Sequence, residues 1–306
     1  MSLIAEIFRR SPQFDEWCDA AKPQTALWRL LVGLLIIIAG LVVLVLAASA
    51  LLTLIAPRAA AEFMLQTMNT PGGTFFALST FLLWPPAIWL GLKLMHKAPL
   101  RSLLSNFHHL DLKHYFVGLG LAFSIALLSI FGAGLIFGMP IRNPINFETW
   151  GIYLLIAVPL LAVQTGAEEL LFRGYLQRYL GARFSNAFFW AIIPTALFGA
   201  LHWNPEGYQD DALMIVFTTG LFGFVLAITV AQTGKLSLAM GLHMGVNMAA
   251  ILLVSPPDYL SGLALYSWPK DPNLLKNLIL IDITLIVTVG ILALWWAKHR
   301  AAKNVA

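Results

Sequence analysis

Three polar clusters interrupt otherwise apolar stretches of this sequence, and their side chains are of types that can hydrolyse a bond. The first reads Gln164-Thr165-Gly166-Ala167-Glu168-Glu169-Leu170-Leu171-Phe172-Arg173. The second reads Phe198-Gly199-Ala200-Leu201-His202-Trp203-Asn204, and the third Gly241-Leu242-His243-Met244-Gly245-Val246-Asn247. A carboxylate or an imidazole can take a proton from water. An imidazole and a carboxamide can donate hydrogen bonds to a developing negative charge. On a helix, Glu169 and Arg173 lie four residues apart with the acid first, an order that favours an ion pair. Glu168 is rotated by about 100° from Glu169, so the two carboxylates are expected to point differently. His243 and Asn247 share one helical face. Gly241 and Gly245 form a small-xxx-small pair that lets a neighbouring helix come close.

Each cluster also has a plainer explanation. Glu169–Arg173 reads as a structural pair. His202 alone could cap backbone carbonyls near a helix end, and His243–Asn247 alone could be an interhelical hydrogen-bond pair. Glu168 is the hardest to explain structurally, because Arg173 is better placed for Glu169. An acid, two imidazoles and an amide at similar depth together point to an active site or a transport site. Ionisable groups near the bilayer centre cost at least about 2.5–3.5 kcal/mol each, so they normally face the interior of a bundle.

The elements that must position these residues are membrane helices. Of 306 residues, 59% are hydrophobic and only 11% charged, against roughly 25% charged in soluble domains. Eight apolar segments are expected as spans, at about 28–55, 74–95, 115–138, 150–180, 187–203, 212–232, 236–254 and 276–297. Pro71-Gly72-Gly73, Pro140, Asn143-Pro144, Asn204-Pro205, Pro256-Pro257 and Asp271-Pro272 break them. Irregular backbone cannot face lipid, so the spans are read as helices and the fold as an all-α, polytopic integral membrane protein around a polar intramembrane cavity. Residues 1–25 are expected as a cytoplasmic, interfacial segment, with Leu3, Ile4, Ile7 and Phe8 on one side and a break at Ser11-Pro12. Residues 26–306 form a single transmembrane domain with its catalytic core at about 150–254. The uncharged run from Leu30 to Pro57 is too long for a cleavable signal core of about 7–15 residues.

Eight crossings with a cytoplasmic N-terminus place fifteen of the nineteen lysines and arginines on the cytoplasmic side, leaving Arg58, Arg142, Lys270 and Lys276 outside. Both termini are then cytoplasmic. Measured along the helices from the cytoplasmic ends, Glu168 lies at roughly 20 Å, His202 at 25 Å, His243 at 14 Å and Asn247 at 20 Å. These depths favour access from the cytoplasmic side. The formal charge of +4 comes with no basic run of the length of a nucleic-acid tail, so no nucleic-acid partner is read. Cys18 is the sole cysteine, which excludes an intramolecular disulfide and reads as a free reduced thiol. Trp84-Pro85-Pro86 and Pro159 are expected to kink their spans. Trp28, Trp150, Trp190, Trp203 and Trp268 read as interfacial anchors, Asp282 as an interfacial carboxylate, and Met244 and Met248 as packing.

At the three clusters the chain resembles the CAAX-processing and bacteriocin-processing (CPBP) intramembrane proteases, which include the type II CAAX prenyl endopeptidases. Glu168-Glu169-x-x-x-Arg173, Phe198-x-x-x-His202 and His243-x-x-x-Asn247 match that family's three motifs in order, over residues 168–247. The resemblance implies an endopeptidase acting on a membrane-associated peptide or protein, prenylated or not, in a bacterial cell membrane. It implies that Glu168 with His202 activates water, that His243 with Asn247 stabilises the oxyanion, and that Glu169 and Arg173 fix the helix. No cofactor is favoured. The alternative is a zinc site of Glu168, His202 and His243, although no H-E-x-x-H pattern is present. A proton-coupled transporter and a non-catalytic scaffold or immunity protein are the other classes that these residues leave open.

Overall fold

Long uncharged stretches in lipid must satisfy every backbone polar group within themselves, and here they do so as helices. The computed structural model of the chain describes residues 7–58, 68–256, 260–269 and 271–303. Leu3, Ile4, Pro257 and Lys270, all used in the sequence reading, lie outside the described residues. A short helix, α1 (Pro12–Asp19), precedes eight apolar ones. Six of these are long and apolar enough to cross a membrane. They are α2 (Leu27–Ile55), α3 (Pro71–His96), α4 (Leu112–Phe137), α5 (Phe147–Arg183), α7 (Ala212–Thr233) and the Lys276–Trp296 portion of α9 (Pro272–Lys303). Two are shorter, α6 (Phe188–Ala200) and α8 (Ser237–Leu253). All eight coincide with the expected apolar segments to within a few residues.

Successive helices run in opposite directions. The end holding the N-terminal segment collects the last turns of α3, α5, α7 and α9 and the first turns of α2, α4, α6 and α8. We call it the basic end, and the opposite one the far end. Beyond the helices, the far end carries three two-residue strands, β1 (Ile141–Arg142), β2 (Val254–Ser255) and β3 (Tyr266–Ser267). β3 is central, antiparallel to β1 and parallel to β2.

The helix of the third motif, α8, lies innermost, with every residue from Ser237 to Gly245 buried. Glycines bring it against α4. A Cβ at Gly241 would stand 2.0 Å from the Tyr115 carbonyl oxygen, and one at Gly245 2.6 Å from that of Leu119. Gly118 answers from α4, 2.5 Å from the Leu238 carbonyl. The expected close approach therefore exists, and its partner is α4 rather than another motif helix. At the basic end, Ser237 Oγ accepts from the Asp111 amide at 2.8 Å, and Lys235 Nζ meets Asp111 Oδ2 at 2.7 Å. Asp111 also caps α4 by accepting from the His114 amide. Partial burial pushes the Asp111 carboxyl up, but the bonds from Lys235 and His114 outweigh it and hold the group well below the ordinary carboxylate range.

The N-terminal segment departs from expectation in its packing. The break expected at Ser11-Pro12 is present: Ile7 is helical and residues 9–11 are not, and a new helix starts at Pro12 because Ser11 Oγ caps the Phe14 amide at 3.1 Å and proline suits the first turn. Helix α1 is packed into the basic end of the bundle, with Phe14, Trp17 and Cys18 wholly buried. Trp17 Nε1 donates to the Ser102 carbonyl at 2.8 Å, and Arg178 Nε donates to that of Trp17 at 2.9 Å. Gly181 of α5 leaves room for Cys18 and Phe14. Burial pushes the Cys18 thiol up to about 12, which makes it an inert packing group. Trp190 and Trp268 are likewise buried rather than interfacial, whereas Trp28 and Trp203 are exposed. A 3₁₀ turn at Phe81–Leu83 interrupts α3 just before Trp84-Pro85-Pro86, while Pro159 sits inside α5.

Two outcomes test this packing. Gly241→Ala drives a methyl group into backbone and is expected to destabilise the protein by about 1–3 kcal/mol. Gly120→Ala, with nothing within 4 Å of the added carbon, is neutral or stabilising by up to about 1 kcal/mol. Thermal unfolding in detergent distinguishes them. The depressed carboxyl of Asp111 contributes stability that is complete above its unfolded value of about 4 and is lost as pH falls toward the folded value. The melting-temperature gap between wild type and Asp111→Asn should therefore be widest near neutral pH and narrow steadily below about pH 4.

Candidate active site

The two adjacent glutamates converge on one imidazole. His243 Nδ1 lies 2.9 Å from Glu169 Oε1, and His243 Nε2 lies 3.5 Å from Glu168 Oε2. The sequence expectation that the carboxylates diverge holds for the helix but not for the contacts, because the imidazole ring offers a nitrogen on each edge. Glu169 Oε1 also accepts from Arg173 at 2.8 Å. An oxygen already paired with a guanidinium acts as acceptor, so Nδ1 of His243 carries the proton and Nε2 is the nitrogen turned to Glu168.

Arg173 is 1% exposed and Glu169 fully buried, so their charges neutralise each other inside the bundle. The second guanidinium nitrogen donates to the Gly223 carbonyl of α7 at 2.9 Å. Its planar head sits 4.6 Å from the Phe198 ring centroid. A Cβ at Gly223 would come within 2.8 Å of Phe198 and 3.1 Å of Arg173, so this position of α7 must stay bare. Phe198 is the hub of the aromatic packing. It meets Phe172 edge-on at 5.1 Å and His243 at 5.9 Å, while Phe222 closes the other side of the imidazole at 5.5 Å.

A chain of amides completes the wall. Asn247 Nδ2 donates to Gln164 Oε1 at 3.0 Å, and Gln164 Nε2 donates to Glu168 Oε1 at 2.8 Å. Gln164 was not assigned a role from sequence. Its signal was its position four residues before Glu168, on the same face. Glu168 Oε2 is left buried with no hydrogen-bond partner among the described residues. His202 Nδ1 lies 2.9 Å from the Phe198 carbonyl. A carbonyl only accepts, so Nδ1 is the donating nitrogen and Nε2 is turned away from this contact. The helix-capping reading of His202 is thus correct, and it leaves one nitrogen for other work.

Each motif helix switches to π-helical hydrogen bonding beside its motif: α5 over Leu170–Gln177, α6 over Phe188–Ile192, α8 over Ala249–Leu253. Such turns rotate the faces on either side against each other. In α5, Glu168 and Glu169 face α8, while Tyr175 beyond them bonds to α2 and Gln177 to α7.

A cavity of about 690 Å³ is lined by Gln164, Glu168, His202, His243, Asn247 and Asp282, among a majority of apolar side chains. Glu169 and Arg173 lie behind this wall. Asp282, expected as an interfacial carboxylate, also lines the cavity from α9. The loop residues on the lining are Met68, Asn204, Pro256, Leu260 and Trp268, all at the far end, whereas α1 fills the basic end. Among the described residues no three His, Cys, Asp or Glu side chains converge as a metal-binding group. Glu168, His202 and His243 share a wall without forming the three-donor geometry of a zinc site, so we derive no step through a metal.

Removing one partner of a buried ion pair leaves the other charge uncompensated, at about 3–5 kcal/mol. Arg173→Met is expected to lower stability by that order. Glu169→Gln combined with Arg173→Met should recover part of the loss. A double-mutant cycle of unfolding midpoints in detergent checks the coupling, and strictly additive losses would contradict it.

Comparison with known proteins agrees with this geometry. Residues 148–249, a third of the chain, match the family model described as type II CAAX prenyl endopeptidase Rce1-like. The chain is also 25% identical over 224 residues to the Bacillus subtilis (strain 168) protein YyaK, covering 72% of this chain and 74% of that protein. No solved structure matches it. All three motifs fall inside the matched segment, on the helices that wall the cavity. The protein is a multi-pass membrane protein whose residues 148–249 are similar to the type II CAAX prenyl endopeptidases of the Rce1-like family model.

Proposed function

We propose that the protein is an intramembrane endopeptidase that cleaves a membrane-associated polypeptide by glutamate-assisted attack of water. The observation that carries this reading is the unlike treatment of two adjacent carboxylates. Each keeps one oxygen without a hydrogen-bond partner among the described residues, but Glu169 is neutralised by Arg173 behind the wall, while Glu168 has no arginine or lysine partner and lines the cavity.

In this reading Glu168, with His202 Nε2 as second acceptor, holds a water beside the scissile carbonyl. Oxygen bonds to the carbonyl carbon as Glu168 takes the water's proton. The oxyanion is met by the His243 imidazole, donating at Nε2 in this step, and by the Asn247 amide proton not given to Gln164. Collapse breaks the C–N bond, and Glu168 passes its proton to the leaving amine. A carboxylic acid and an amine result and Glu168 is again a carboxylate; transfer of the new acid's proton to the amine then leaves a carboxylate and an ammonium, with atoms and charge balanced. Glu169, Arg173 and Gln164 touch no substrate and serve as positioning residues. The apolar remainder of the wall suits hydrophobic side chains or a lipid-modified terminus, and a prenylated substrate is the class that the family's description brings. No metal or cofactor is required by these steps.

Glu168→Gln keeps shape and hydrogen bonding but removes the base. It should lower cleavage of a quenched-fluorescent, lipid-anchored peptide library by about 10²–10⁴-fold, while the variant still binds the peptides and unfolds as wild type does. Activity of the purified protein should survive chelation. Loss of activity on chelation with recovery on added zinc would favour the metal alternative. Retained biological function in Glu168→Gln would point to a scaffold, and ion flux without peptide products to a transporter.

A further inference from the structure

One charged group of the cavity takes no part in the hydrolysis proposed above. Asp282 lies on α9, and helix geometry assigns its direction. The exposed apolar side chains Leu280, Val287, Ile291 and Trp295 of this helix fall on one stripe, which faces lipid. At about 100° per residue, Asp282 sits nearly opposite that stripe. Ile279, Leu285 and Ile286 flank it on its own face and are buried. Asp282 between them is exposed, and the open space it meets is the cavity that all four line.

Its height follows from contacts between helices. Helices α5, α7 and α9 run in the same direction. Arg173 and Gln177 of α5 donate to the Gly223 and Ala227 carbonyls of α7, each fifty residues further on. By that offset Glu168 stands level with Thr218. A Cβ on Gly290 of α9 would stand 3.0 Å from Val225 of α7. That contact sets Asp282 level with Phe217. Glu168 and Asp282 therefore face one cavity from different helices at one depth, to within about a turn.

The lining is one-sided in charge. It holds the carboxylates of Glu168 and Asp282 and two imidazoles, with no lysine or arginine. Among the described residues nothing forms an ion pair or hydrogen bond with Asp282. At the same height, the Thr218 and Thr219 hydroxyls donate to the Met214 and Ile215 carbonyls of their own helix. Toward the cavity these oxygens can then only accept. Carboxylates at membrane depth are costly and are kept where they meet a partner. Asp282, Thr218 and Thr219 all offer acceptors, so the partner they fit is a donor with positive charge.

We infer that Asp282 is a specificity-determining residue that binds a cationic group of the substrate: a lysine ammonium, an arginine guanidinium or a free amino terminus. The inference rests on the protease reading above. Because the two carboxylates share one depth, the cation lies within a few residues of the scissile bond. The apolar part of the wall remains available to hydrophobic side chains or a lipid-modified end of the same substrate.

The test uses matched peptides and the full-length protein in detergent. Lipid-anchored, quenched-fluorescent peptides carry one lysine, walked along the sequence, or N-acetyl-lysine at the same place. Wild type should cleave the lysine peptide with a kcat/KM about 10- to 100-fold higher at one or two positions. Asp282→Asn should bring that ratio to near one, and Asp282→Glu should keep it. Asp282→Lys should reverse it, favouring glutamate at the same place. Each variant is read as a ratio between two peptides on one preparation, so loss of folded protein cancels. Repeating the set with a free and an acetylated amino terminus shows whether a side chain or the terminus supplies the cation. Absence of any preference for lysine or a free amine overturns the inference, and so does a preference that Asp282→Asn keeps. Binding, read by fluorescence anisotropy, separates this from the protease reading. Glu168→Gln removes the other carboxylate and should still bind the lysine peptide more tightly than its acetylated twin, a difference that adding Asp282→Asn abolishes. If wild type cleaves no peptide, the protease reading fails, and the binding comparison still decides for or against Asp282.

Discussion

A single imidazole ring holds the interior of this protein together. His243 sits between Glu168 and Glu169, and Arg173 neutralises the second of these from behind. Buried charges survive in lipid only when paired, so the pair dictates much of the surrounding architecture. Arg173 needs the Gly223 carbonyl and the face of Phe198. Those needs bring α5, α6 and α7 to one place, while Glu169 ties α5 to α8. Remove the countercharge and three helices lose their common reference. The same arrangement leaves each glutamate with one oxygen that finds no hydrogen-bond partner among the described residues, and only Glu168 has its carboxylate on the cavity, where it is a usable base.

Geometry elsewhere supports that arrangement by allowing close contact. Gly118, Gly241 and Gly245 let α4 and α8 touch through their backbones, which places His243 at a fixed height and rotation. The Asp111–Lys235–Ser237 clamp secures the same two helices at the basic end. The two ends differ: one is packed by aromatic side chains of α1, while the other carries a patch of two-residue strands. A water-filled chamber within a membrane protein needs such a floor, since any second opening would let water and ions through.

Much of this was legible from residue order alone. Uncharged runs marked the helices, because hydropathy over twenty residues reports directly on lipid contact. The four-residue spacings of Glu169–Arg173 and Gly241–Gly245 gave an ion pair and a close contact, because both depend on one helix's own geometry. Relations between helices were not legible. Spacing indicates that Glu168 and Glu169 point apart, yet only the position of α8 reveals that one ring can meet both. Gln164 bridges two motifs and carries no motif of its own. Asp282 comes from a helix with no signature and turns inward. The role of α1 depends on a floor that needs filling, and Trp190 and Trp268 show that an apolar ring near a span end can pack inward as well as anchor in headgroups.

The site combines a base, an oriented imidazole and an amide in a largely apolar chamber, within a segment of Rce1-like sequence. Its chemistry rests on Glu168 reaching water. A cryo-EM map of the protein in lipid nanodiscs, at a resolution that resolves ordered solvent, tests this directly. The account predicts a water within hydrogen-bond distance of Glu168 Oε2 and of His202 Nε2. A Glu168 side chain enclosed by aliphatic groups, or bonded to Arg173 in place of Glu169, would contradict it.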